Sequence, residues 1–158
     1  MSYSWFIIAL VLHVLAIVVW IGGIAVVTTV IFPAMRRLES NEQKSWLFEQ
    51  VEGRFRPQAR IAWLIVGLSG FYMVVALNAW PRFTEARYWW MHAMVALWLI
   101  FGLMLFVMEP LVVGPRLERM LATEPARALA RIETLHRVLL VLSLIVIAAV
   151  VAGSHGWF

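Results

Sequence analysis

The chain has 158 residues, 63% of them hydrophobic and 14% charged, with a mean hydropathy of +0.86 and a net charge of +4. Soluble domains are roughly half apolar and a quarter charged, and one domain of this size has too little interior for so much apolar side chain; a water-soluble enzyme, a disordered tail and a disulfide-stapled module are therefore excluded. With no cysteine, thiolate nucleophiles, Cys-bound zinc and Cys-ligated iron–sulfur clusters are excluded as well.

Four stretches carry no Asp, Glu, Lys or Arg: residues 1–35, Ile61–Pro81, Tyr88–Met108 and Val138–Phe158. About 20 apolar residues in a helix cross the roughly 30 Å hydrocarbon core, and backbone groups in lipid must pair within their own segment. The expectation is one all-α domain over residues 1–158, an integral membrane four-helix bundle with helices near 5–35, 58–81, 87–113 and 124–154. The first stretch has no basic leader and no small-residue cleavage pattern before Arg36, so it reads as a retained helix rather than a signal peptide.

Between the first two spans, Ser40 and Gln43 have capping-box spacing, and Trp46, Leu47, Val51 and Phe55 follow at helical intervals. An amphipathic segment near 41–55 is expected, either lying on the inner leaflet or leading into the second helix. The last helix is expected to open at Thr123, Glu124 and Pro125. No internal repeat and no low-complexity tract is apparent.

Cations orient the array. Arg36, Arg37, Lys44, Arg54, Arg56 and Arg60 occupy the first connection, and Arg116, Arg119, Arg127, Arg131 and Arg137 the third, whereas the middle loop holds only Arg82 and Arg87. The positive-inside rule puts the two basic connections in the cytoplasm and both termini outside, in a multi-pass protein of a bacterial inner membrane. Tyr3, Trp5, Trp80, Tyr88, Trp89, Trp90 and Trp157 then form one outer belt. Basic charge placed this way anchors the chain in lipid, so no nucleic-acid partner is expected.

Ionisable groups within membrane segments are costly and are read as functional. His13 and His92, on the first and third helices, are placed in one layer near the outer face, with Met73, Met91 and Met94 at similar depth and His155 at the outer end. His136, at the inner boundary, is expected to pair with Glu109. His13, Ile17, Trp20 and Ile24 share one stripe, and Gly22 and Gly23 beside it admit a close neighbour or a flat cofactor. Imidazole suits haem iron and copper, and thioethers suit Cu(I). His13 and His92 are therefore expected to grip either a haem b, with Arg82 or Arg87 at its propionates, or a copper ion joined by the methionines. A packing role for all of them is the third possibility. A homodimer through small faces such as Gly67–Gly70 is a further expectation.

The run from His13 through Trp20-Ile21-Gly22-Gly23 to Phe32-Pro33 resembles the first helix of the CopD-like membrane proteins, which are associated with copper resistance or uptake. It is also similar to the HemJ-like family of haem-binding protoporphyrinogen oxidases, whose third helix opens with a W-L-H-A-K stretch close to Trp90-Met91-His92-Ala93-Met94. Met94 stands where that stretch has lysine. The resemblance implies His13, then His92, as metal ligands. Function is expected to be haem-based electron transfer with the quinone pool or a redox partner protein, with copper handling and a protoporphyrinogen oxidase-like activity as alternatives.

Overall fold

A computed structural model of the chain describes residues 3–113, 120 and 123–157. Arg116 and Arg119 of the third connection lie outside these. Among the described residues, four helices are long and apolar enough to cross a membrane: α1, Tyr3–Arg36; α2, Asn41–Ala76; α3, Trp89–Leu103, which runs on through Met104–Val113; and α4, Pro125–Ser154. The amphipathic segment is not separate. It forms the first turns of α2, with the Ser40 hydroxyl accepting from the amides of Glu42 at 3.2 Å and Gln43 at 3.5 Å. The last helix begins at Pro125 with Glu124 at its boundary, one residue later than the Thr123 cap expected from the sequence.

α1 packs along α2 and α3 along α4, giving two antiparallel hairpins, and α1 also meets α4. Ala16, Trp20, Ile21 and Ile24 of α1, Ala59, Ala62 and Val66 of α2, Phe101 of α3 and Leu139 and Leu140 of α4 make one core. A second core, with Val27, Phe32, Met35, Phe48 and Ile132, lies at the arginine-rich end. At the opposite end α2 and α4 stop in the same way. The Ala79 amide reaches back to the Val74 carbonyl and the Trp157 amide to Ala152, with Asn78 (φ 49°) and Gly156 (φ 79°) in the left-handed conformation that this stop requires. The connection to α3 then folds into two tight turns, Trp80–Thr84 and Ala86–Tyr88.

Both odd-numbered helices widen where proline removes an amide. In α1 the wide stretch is Val27–Ile31, just before Pro33, and the Thr28 and Thr29 hydroxyls donate to the carbonyls of Ile24 and Ala25 at 2.7 and 2.8 Å. The wide stretch of α3 contains Pro110. With hydrogen bonds spanning five residues, Pro110 leaves the Leu105 carbonyl without its donor. Arg60 of α2 supplies one, Nη2 at 3.0 Å and Nε at 3.3 Å, while also holding Glu109 at 2.9 Å. Arg56 completes the clamp on Glu109 at 3.0 Å. Arg60→Met is expected to destabilise the protein by about 1–3 kcal/mol. The loss should be clearly smaller in a Pro110→Ala background, where the helix regains its own donor. Unfolding of both pairs in mixed micelles checks this; equal losses in the two backgrounds would refute the account.

Candidate functional site

The side chains expected from the sequence to carry function separate into a buried set and an exposed set. His13 is buried, 8% exposed, on the α1 row that continues through Ala16, Trp20 and Ile24. Its ring lies against α2: Nδ1 is 3.0 Å from the Ser69 hydroxyl, and a Cβ at Gly70 would stand 3.1 Å from His13 Cε1. Gly70 therefore sets how closely the imidazole approaches the α2 backbone.

Below His13 toward the arginine-rich end, Trp20 meets Phe101 edge-on with ring centroids 4.7 Å apart. This contact joins α1 to α3 across the interior. The two helices run parallel, so stepping back seven residues on each returns to the same face at the same depth. From Trp20 that step reaches His13, and from Phe101 it reaches Met94. Met91, one turn nearer the start of α3, is buried, and Met94 and Met73 are partly buried. Met73 stands one turn beyond Ser69 on α2.

His92 falls elsewhere. α2 and α3 are registered by a reciprocal tryptophan pair, with Trp63 and Trp98 stacked at 4.2 Å and 5°. Each indole N–H donates to the other's carbonyl, at 2.8 and 3.0 Å, and each ring covers a glycine, Trp63 on Gly102 and Trp98 on Gly67. That register sets Ser69 level with Ala96 and Met73 level with His92. His92 is two positions from Met94 and four from Ala96, so it lies about 3–6 Å along the axis from the His13 layer. It is exposed and edge-on to Phe83 at 5.4 Å. His13 is buried against α2 while His92 is exposed, so the two rings expected to share a site do not lie on one buried face.

The remaining candidates are engaged locally. Gly23 lies under the Phe55 ring, and Gly22 has nothing within 4 Å. Arg82 and Arg87 lie over the Tyr88 ring at 5.4 and 4.8 Å, and Arg87 pairs with Glu85 at 2.8 Å. Gly67 and Gly70, expected as a dimer face, are covered within the chain by Trp98 and His13. Glu109 pairs with Arg56 and Arg60 rather than with His136, whose Nδ1 donates to the Ile132 carbonyl at 3.0 Å while its ring meets Phe32. His155 is exposed and its Nδ1 is 2.7 Å from the Val151 carbonyl. Glu133, buried, receives Arg36 and Arg137 and ties α1 to α4 at the arginine-rich end.

Ser69 and the tryptophan pair escaped the reading of the sequence, although a signal existed for the second. Trp63-Leu64-Ile65-Val66-Gly67 and Trp98-Leu99-Ile100-Phe101-Gly102 are the same five-residue pattern on two antiparallel helices, an internal repeat where none was expected. For Ser69 there was no comparable signal, since one hydroxyl in an apolar run has many local uses.

These residues do not fit a haem held by two imidazoles. His13 is buried and His92 exposed, and Trp20 and Phe101 fill the interior below. Among the described residues, no three His, Cys, Asp or Glu side chains gather as a metal cage. What α1 and α3 do bring to one level, by the seven-residue step from Trp20 and Phe101, is the buried His13 and the partly buried Met94.

The architecture is that of a multi-pass helical membrane protein. The chain belongs to the copper resistance protein D (CopD) family, whose model matches residues 49–153, well over half of its length. The match spans most of α2 and all of α3, with most of α4; α1 and His13 precede it. No curated protein and no solved structure matches the chain.

Proposed function

We propose that the protein handles Cu(I) as its substrate within the membrane, with His13 and Met94 as the first pair of donors and Met91 and Met73 one turn nearer the end that holds the termini. The supporting observation is the seven-residue register that sets His13 of α1 across from Met94 of α3, above the Trp20–Phe101 contact. Imidazole nitrogen and thioether sulfur are the donors a soft monovalent cation prefers. Both are neutral, so a bound Cu(I) keeps its charge in a low-dielectric interior and is held loosely enough to leave, as passage through a membrane requires. Family membership supports the same cargo. The cation distribution supports a cytoplasmic arginine-rich end in a bacterial inner membrane, and in that orientation the His13–Met94 layer lies toward the outer face.

Titrating the detergent-purified protein with Cu(I) against a coloured Cu(I) chelator tests this. One chelator-competing equivalent per chain is expected, from a protein with no haem absorption. Failure to retain stoichiometric Cu(I), or a haem spectrum after haem-replete expression, overturns the proposal.

A further inference from the structure

Ser69 bears on which nitrogen of His13 is open. Its hydroxyl is buried in α2 and lies 2.5 Å from the Ile65 carbonyl and 3.3 Å from that of Val66. Carbonyls only accept, and a hydroxyl has one hydrogen, so that hydrogen is committed to the helix. Toward His13 Nδ1, at 3.0 Å, the oxygen offers a lone pair. Nδ1 must therefore carry the ring hydrogen, and a neutral imidazole protonated there has its lone pair at Nε2. Gly70 makes this possible, because its missing Cβ lets the Cε1–Nδ1 edge rest on α2.

We infer that Ser69 is a positioning residue for a cation site at His13: it holds the imidazole in the Nδ1–H tautomer and keeps the Nε2 lone pair free for the cation. The inference rests on the copper reading for its consequence but not for its geometry. An outer partner that donates to or accepts from a ligating histidine sets both ring orientation and tautomer, and its loss typically weakens metal binding about 10- to 100-fold.

The full chain, labelled with 15N-histidine and reconstituted in lipid nanodiscs, gives a direct readout, with His13 assigned by its disappearance in His13→Ala. The wild type should show a protonated Nδ1 and a bare Nε2. Ser69→Ala should shift His13 toward the other tautomer and lower Cu(I) affinity about 10- to 100-fold. Ser69→Thr, whose hydroxyl makes the same two bonds, should restore both. A wild-type His13 protonated at Nε2 overturns the inference, as does an unchanged tautomer in Ser69→Ala. A tautomer that shifts while Cu(I) affinity stays the same overturns the role of His13 in copper binding and leaves the tautomer control standing. The wild-type spectrum decides the first point even if Ser69→Ala fails to fold.

Discussion

His13→Ala is expected to lower Cu(I) affinity by more than about 100-fold, beyond what loss of an outer partner causes, while His92→Ala changes it by less than about threefold. The contrast follows from where the two rings lie. His13 is buried at the level that the Trp20–Phe101 contact gives Met94, whereas His92 is exposed and packed on Phe83. Removing His13 takes away the one nitrogen donor of the interior row. Thioethers alone bind Cu(I), so some residual affinity is expected, and Met94→Ala in the His13→Ala background should remove most of it. Helical content and the thermal midpoint of each variant separate lost ligation from lost folding, because His13→Ala also opens a small interior gap beside Gly70. Chelator competition is the measurement. If His13→Ala keeps its affinity within about threefold, the donor assignment is wrong, and if His92→Ala suffers the larger loss, leaving the exposed ring out of the site is wrong too.

Much of the fold was legible because its strongest determinant is crude. Four uncharged stretches long enough to span a bilayer leave the backbone no option but helix, and the Ser40 cap could be read from its spacing to Gln43. His13 was legible for a related reason: its spacing to Trp20 and Ile24 put it on the row that became buried. How the helices sit against one another was not legible: the connection between α2 and α3 folds into two tight turns before Trp89, and the Trp63–Trp98 contact sets the sliding of α2 against α3, with His92 exposed and packed on Phe83. The same blindness to register paired Glu109 with His136. The partners Glu109 found instead are Arg56 and Arg60, the latter drawn there because Pro110 leaves the Leu105 carbonyl without a donor, a need that no spacing in the sequence advertises.

The tryptophan pair is the other place where one substitution should have a large effect. Trp63→Ala and Trp98→Ala each lose a stacked ring, an indole N–H bond to a carbonyl, and the cover over a glycine. In a soluble core a Trp→Ala change costs about 3–5 kcal/mol, part of which is transfer from water. In a bilayer the lipid is as apolar as the core, so the transfer part falls away and packing with hydrogen bonding remains. About 2–3 kcal/mol each is therefore expected. The double variant should lose less than the sum, since each ring's main partner is the other. A sharper test uses the glycines. A Cβ at Gly67 would lie 2.5 Å from the Trp98 ring, and one at Gly102 would lie 2.8 Å from Cε2 of Trp63. Gly67→Ala and Gly102→Ala should each cost about 1–3 kcal/mol by forcing the rings outward. Gly67→Ala should be nearly free in a Trp98→Ala background and remain costly in Trp63→Ala, with the converse for Gly102→Ala. Unfolding in mixed micelles resolves these differences. Were each glycine substitution equally costly in both backgrounds, the crossed pairing of ring and glycine would fail, and with it the register that sets Met73 level with His92.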